Sequence, residues 1–143
     1  MKKYVSEVMS TNIIPVSNDK HVYDIALNMK EHDTGFIPIV EKENHRKLVG
    51  VVTDRDLVLR GIASKHPGSA KVSEVMTTDV YTVNSRASVE EAAKMMAAHQ
   101  VRRLPVVDNG QLVGILSLGD VATESPFQDN AGSALTDISE PSH

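Results

Sequence analysis

Two short stretches of the chain end in the same spacing of a hydroxyl residue and an aspartate. "GVVTDRD" contains Thr53 and Asp56, and "GILSLGD" contains Ser117 and Asp120. Each pair follows an apolar run, which predicts a turn from a strand into a helix. One interpretation is a capping box, in which the two side chains satisfy backbone N–H groups at the helix start. The other is a ligand site, because a carboxylate can accept hydrogen bonds from the two hydroxyls of a ribose.

The second interpretation indicates a nucleotide. A helix N-terminus with free N–H groups can hold phosphate, and small residues such as Gly35 would leave room for a ring. Arg102 and Arg103 stand at the predicted start of a strand, and Arg55 adds a third cation near the first helix start. Neighbouring strand side chains point to opposite faces, so at most one of the two adjacent arginines should face any given cleft. The alternative, that both are solvated charges at a strand edge, stays open.

An internal repeat positions these residues. The letters VSEVM occur at 5–9 and again at 72–76, and the similarity continues at an offset of 67 residues. The offset falls to 64 after the stretch EKENHRK, which corresponds to DNGQ in the second copy. Each copy predicts a strand, a helix, two strands joined by a polar turn, and a second helix. The predicted fold class is therefore α/β (α+β), built from two similar β-α-β-β-α units that pack together.

The repeat also predicts the boundaries of the chain's segments. Pro67 and Gly68 mark a linker, and the residues after the second copy form a tail that is either a short amphipathic helix or disordered. The first strands are predicted at 13–16 and 80–83, and the last helices at 54–63 and 118–124. The predicted divisions are a first motif at 4–64, a linker at 65–71, a second motif at 72–124 and the tail at 125–143.

Composition excludes several classes of function. The 143 residues carry 19 acids, 15 bases and no cysteine, so no basic field attracts nucleic acid and no thiol chemistry is available. No apolar run reaches the ~18 residues of a membrane span, and we expect a cytoplasmic location. The six histidines lack the spacing of a metal site. Asp54 and Asp56 are only a weak candidate pair for acid/base catalysis, so we predict that the chain is not an enzyme. The alternative hypothesis is a small enzyme.

The ordered set of motifs, present twice, resembles the CBS domain, named for cystathionine beta-synthase; a pair of them is called a Bateman module. The matching stretches are "VSEVMSTNIIPV", "GFIPIV" and "LVGVVTDRDL", then "VSEVMTTDVYTV" and "HQVRRLPVVDNGQLVGILSLGDV". The resemblance covers roughly residues 4 to 124. It implies two β-α-β-β-α units related by a pseudo-two-fold axis, with their sheets face to face and two clefts between them. It implies that no cofactor is required and that the ligand is an adenosine compound: AMP, ADP, ATP or S-adenosylmethionine.

The resemblance further assigns site residues, because each family cleft combines residues of both copies. One cleft would use Thr53, Arg55, Asp56, Tyr81, Val101, Arg102 and Arg103. The other would use Ile14, Thr34, Gly35, Phe36, Ser117 and Asp120. Since the cations favour phosphate in the first cleft, we expect an adenine nucleotide mainly there.

Modules of this family usually regulate enzymes, channels or transporters. The chain shows no such domain and looks like a stand-alone sensor that acts on an unidentified protein. Family modules commonly pair through their helices, and the helical methionines Met29, Met95 and Met96 exceed what one small sheet needs to cover, so we predict a homodimer. The alternative function is a protein-interaction or dimerisation module with no small-molecule ligand.

Overall fold

The computed structural model describes residues 3–122, which form five strands and five α-helices. A π-helix, Leu57–Ile62, and a 3-10 turn, Val72–Glu74, complete the elements of this range. In chain order the helices and strands are α1 (Val5–Val8), β1 (Val16–Ser17), α2 (Val22–His32), β2 (Phe36–Val40), β3 (Leu48–Thr53), α3 (Asp54–Asp56), α4 (Val89–His99), β4 (Arg103–Asp108), β5 (Gln111–Ser117) and α5 (Leu118–Ala122).

The described residues divide into two units. The first-repeat unit contains residues 14–80, and the second-repeat unit contains residues 3–13 together with 81–122. The first-repeat unit holds a sheet of order β1-β2-β3, in which β1 runs parallel and β3 antiparallel to β2. Branched residues of β2 and β3, such as Ile37 and Val52, are buried in one cluster with Ile25 of α2. Their burial fixes the register of the sheet, because a slip of one residue would expose them.

The second-repeat unit repeats this order. β4 and β5 form an antiparallel pair, and Val83 adds a single parallel bridge to Val106. Ser88 caps the start of helix α4, and its hydroxyl accepts a hydrogen bond from the Glu91 N–H at 3.1 Å. The apolar positions that predicted this helix form its buried face: Val89, Ala92, Ala93 and Met96.

The fold class predicted from the sequence is confirmed as mixed α/β, with small sheets and helices. Three elements differ from their predicted extents. The predicted strand at 80–83 is reduced to the single bridge of Val83, and the one at 13–16 is observed as Val16–Ser17. The predicted helix at 54–63 changes to a π-helix after α3, where the Ala63 N–H bonds to the Val58 carbonyl at 2.8 Å. The predicted tail, 125–143, lies outside the described residues.

The two VSEVM segments are exchanged between the units. Ser10, after the first copy, pairs with Ile115 of β5 through hydrogen bonds of 2.9 Å in both directions. Thr77, after the second copy, pairs in the same way with Val51 of β3, at 2.9 and 2.8 Å. Each spatial unit thus takes its VSEVM segment from the other sequence repeat. The predicted motif boundaries concern the sequence repeats and stay a prediction.

Candidate functional site

Both hydroxyl–aspartate pairs form capping boxes. The Thr53 hydroxyl accepts from the Asp56 N–H at 3.2 Å, and the Thr53 N–H donates to Asp56 Oδ2 at 2.9 Å. The second repeat reproduces this geometry, with 3.0 Å for both bonds between Ser117 and Asp120. The capping interpretation is therefore confirmed. It leaves the ligand interpretation open at Asp56, because the box there engages only the Oδ2 atom of the carboxylate.

The backbone N–H groups at the start of α3 all have protein partners. The Asp54 N–H donates to the Gly35 carbonyl at 3.0 Å, and the Arg55 N–H donates to Asp54 Oδ1 at 2.8 Å. The Asp56 N–H is held by Thr53. The expectation of free N–H groups for phosphate is therefore wrong at this helix. A phosphate near this turn would depend on cationic side chains instead.

The Asp54 side chain lies beside Gly35. A Cβ atom at Gly35 would lie 2.7 Å from Asp54 Oδ2, so the Asp54 carboxylate covers this backbone. Asp54 is exposed, and the expectation that Gly35 leaves room for a ligand ring stays a prediction. Next to it, the Thr34 hydroxyl lies 3.3 Å from the Phe36 N–H and accepts its hydrogen bond. Thr34, Gly35 and Phe36 are all half-buried.

Asp56 has a further neighbour that sequence reasoning missed. The Thr77 hydroxyl lies 3.5 Å from both carboxylate oxygens of Asp56, which is long for a hydrogen bond. A signal for this contact existed, because both VSEVM copies are followed by a hydroxyl residue, Ser10 or Thr77. The exchanged segment thus places a hydroxyl at the aspartate.

In the second-repeat unit the two arginines lie beside the second hydroxyl–aspartate turn. The Leu118 N–H donates to the Arg102 carbonyl at 2.8 Å, and Arg103 pairs with Ser117 across the β4–β5 ladder. Both arginine side chains are exposed, and Val101 packs against the core of the same unit. The sequence predicted that Arg102 and Arg103 share a cleft with residues of the first-repeat turn, such as the exposed Arg55. That combination stays a prediction.

The two predicted residues that precede the first strands differ between the repeats. Tyr81 stacks on His99, with ring centroids 3.7 Å apart and planes 12° from parallel. Its counterpart Ile14 is 38% exposed. One face of the Tyr81 ring is therefore covered by a side chain of its own unit, and its other face is the one available for stacking.

Within residues 3–122 no set of three or more histidine, aspartate or glutamate side chains is arranged to hold a metal ion. In the same range no helix has the length and apolar character to cross a bilayer. Outside the predicted sites, hydrogen bonds from the Ser85 hydroxyl and the Ser85 N–H lower the pKa of Asp108, at 2.6 and 3.0 Å.

Comparisons with known proteins identify the family. The CBS domain model matches residues 5–61 and 72–126. The chain is 44% identical over 135 residues to the CBS domain-containing protein YhcV of Bacillus subtilis, and the match covers 94% of each chain. A structure of Hypoxic Response Protein I with two coordinated zinc ions has a TM-score of 0.78 at 33% identity, covering 87% of this chain and 100% of that one. CBSX2 in complex with AMP has a TM-score of 0.72 at 31% identity, covering 84% and 93%.

Proposed function

Because the chain belongs to the CBS domain family, whose paired domains are regulatory modules, we propose that it binds an adenosine compound and passes the bound state to a partner protein. The observation that carries the proposal is the pair of capping boxes. Each fixes a half-buried aspartate at the same strand-to-helix turn of its repeat. A carboxylate that is already oriented loses little freedom when a ligand binds.

Asp56 is the acceptor that we assign to the ribose. Its Oδ2 atom holds the Thr53 N–H, but an ionised carboxylate offers about four lone-pair sites for hydrogen bonds. The Thr77 hydroxyl, at 3.5 Å, is a weak competitor. Asp56 therefore keeps acceptor capacity for the two neighbouring hydroxyls of a ribose.

The phosphate of a nucleotide would be bound by side chains. Arg55 follows the first capping box directly, and Arg102 and Arg103 are exposed at the start of β4. Charge-assisted hydrogen bonds from guanidinium groups to phosphate are among the strong ones. We propose that these arginines and Asp56 bind the same nucleotide. The AMP bound to CBSX2 makes AMP the first ligand to test on this chain.

The test is calorimetric titration of AMP into the parent chain and into Asp56→Asn. This change keeps a carbonyl oxygen for the Thr53 N–H and replaces the other acceptor with a donor. Loss of hydrogen bonds to a charged group costs about 1.5–3 kcal/mol, so affinity should fall by roughly one to two orders of magnitude. Asp120→Asn is the matched control at the other capping box and should have the smaller effect. A larger loss for Asp120→Asn would indicate that the nucleotide binds at Asp120 and would contradict its assignment to Asp56.

The second candidate function is a protein-interaction or dimerisation module with no small ligand. An apolar patch on the π-helix favours it: Val58, Leu59 and Ile62 are 54%, 48% and 76% exposed. The methionines that suggested a dimer surface are not part of such a patch. Met96 is fully buried, and Met29 and Met95 pack against the cores of their units. We propose the π-helix patch as the surface through which two copies of the chain pair.

Thermal melting with a panel of adenosine compounds separates the two candidates. A ligand that binds only the folded chain must raise its melting temperature. If AMP, ADP, ATP and S-adenosylmethionine all leave the melting temperature unchanged at millimolar concentration, the aspartates act only as helix caps. The interaction module is then the better description.

A further inference from the structure

A cavity of about 380 Å³ lies in the first-repeat unit, away from the turn that holds Asp56. It is formed where β1 ends beside the end of β2, at the paired residues Ser17 and Val40. Gly35 and Phe36 lie at the opposite end of β2. Its volume is near the lower end of the range for small-molecule pockets, which indicates a ligand smaller than a drug-sized molecule.

The walls of this cavity differ in chemistry. Pro15, Val16 and Val40 provide an apolar surface. Lys20, from the turn before α2, and His45, from the loop after β2, provide cationic or hydrogen-bonding groups. Such a combination suits a small molecule that has an apolar part and an anionic end.

Helix α2 contributes the remaining polar wall, and its groups are already ordered. Asp24 Oδ2 accepts from the His21 N–H at 2.9 Å, and the Asn28 side-chain amide donates to the Asp24 carbonyl at 2.9 Å. The negative charge of Asp24 repels a doubly charged anion more than a singly charged one. The Asn28 side chain has a second N–H and a carbonyl oxygen left for a ligand.

One nearby acid could compete for the lysine. The carboxylate of Asp19, the residue before Lys20, accepts a hydrogen bond from the Ser17 hydroxyl, which is the largest cause that lowers the pKa of Asp19. The charge of Lys20 is a smaller cause in the same direction, so Asp19 is a weak competitor. Among the described residues, neither Lys20 nor His45 forms an ion pair. Both side chains are exposed at the cavity, so a ligand anion can reach them.

The second repeat offers an internal comparison. At the repeat offset of 67, Lys20 corresponds to Ala87 and Asn28 to Met95. His45 lies in the stretch that the second copy replaces with the shorter DNGQ. Lys20 and His45 therefore have no cationic counterpart in the second repeat, and the shared fold does not require them.

We propose that this cavity binds a small aliphatic carboxylate. The carboxylate contacts Lys20 and His45, and the aliphatic part lies on Val16 and Val40. This inference is independent of the proposed adenosine site, because no residue is shared between the two.

The experiment is a titration of 3-methylbutanoate into the full chain labelled with nitrogen-15, followed by two-dimensional NMR. We expect saturable shifts of the backbone amides of Ser17, Lys20 and His45. Lys20→Ala should weaken the apparent affinity about tenfold or more, since a charge-assisted contact is lost. Lys30→Ala is the matched control, because Lys30 is an exposed lysine of α2 that does not line the cavity. Its affinity should equal that of the parent.

Two comparison ligands complete the test. The neutral alcohol 3-methylbutan-1-ol should bind more weakly than the acid, and inorganic phosphate should not saturate the same amides. The proposal is overturned if Lys20→Ala binds the acid as the parent does, or if phosphate and the acid shift the same amides equally. AMP is titrated into the same samples. Lys20→Ala should leave AMP binding unchanged. The experiment therefore distinguishes failure of the carboxylate proposal from failure of the adenosine proposal.

Discussion

Gly114→Ala should destabilise the second-repeat unit because it obstructs the exchanged N-terminal segment. A Cβ at Gly114 would lie 2.9 Å from the Ser10 carbonyl oxygen and 2.7 Å from Met9 Sδ. The methionine sulfur is part of a flexible side chain and can move. The Ser10 carbonyl cannot move freely, because it accepts the Ile115 N–H at 2.9 Å within a two-way backbone pair.

The size of the effect follows from these contacts. Forcing one extra methyl into a packed site costs typically about 1–3 kcal/mol. If the chain relieves the clash by breaking the pair between Ser10 and Ile115, it loses two hydrogen bonds of about 1 kcal/mol each, which gives a similar total. We therefore expect Gly114→Ala to lower the free energy of unfolding by about 1–3 kcal/mol.

Urea denaturation followed by circular dichroism measures this change. Gly61→Ala is the matched control, because Gly61 is also buried but its Cβ would meet nothing closer than Val75 Cγ1 at 4.0 Å. Gly50→Ala tests the equivalent contact in the first-repeat unit, where the Cβ would lie 2.8 Å from the Thr77 carbonyl oxygen. If Gly114→Ala and Gly61→Ala have the same stability, the exchanged segment does not pack on this glycine and the reasoning fails.

Three further predictions concern charge and assembly. Because the folded-state pKa of Asp108 is lowered, its contribution to stability is present at neutral pH and is lost as the pH falls below about 4. The stability difference between the parent and Ser85→Ala should therefore shrink between pH 7 and pH 3, as measured by urea denaturation. Ile62→Lys should reduce the mass in light scattering from about twice 15.6 kDa to 15.6 kDa, and an unchanged mass would exclude the π-helix patch. Changing Arg102 and Arg103 together to Ala should weaken AMP more than adenosine in calorimetry, since only AMP carries phosphate; equal losses would contradict their role.

The repeat and its elements could be predicted because burial leaves a periodic pattern. The spacing of Val89, Ala93 and Met96 predicted α4, and these residues are buried on one face of that helix. The turn "DNGQ" likewise has the two left-handed residues, Asn109 and Gly110, that a tight hairpin requires. Local patterns of this kind depend on neighbours in the chain, so one sequence is sufficient to find them.

The exchange of the VSEVM segments could not be predicted from the same sequence. Val5 and Val72 are equivalent residues of identical segments, and each is fully buried in the core of its unit. Since the two copies have the same side chains, packing within the first repeat or within the second would bury the same apolar area. Identical side chains therefore give no preference for one pairing over the other.

The candidate site was predictable only in part, for a similar reason. The spacing of Thr53 and Asp56 is local and predicted the capping box. The position of Asp54 over Gly35 depends on the rotamer of an exposed side chain, which the sequence does not determine. The approach of Thr77 to Asp56 depends on the segment exchange and was missed for that reason.

The two repeats agree at the positions that hold the fold and differ at those that could meet a ligand. Gly50 and Gly114 both lie under an exchanged segment. The aspartates of the two capping boxes accept hydrogen bonds from equivalent backbone N–H groups, those of Thr53 and Ser117. By contrast, Arg102 stands where the first repeat has Gly35, and Lys20 where the second has Ala87. A duplicated unit needs no such differences for stability, because the shared residues already satisfy its backbone and fill its core. Our two proposals assign ligands to positions of this second kind: the phosphate of a nucleotide to the arginines, and a small carboxylate to the cavity that contains Lys20.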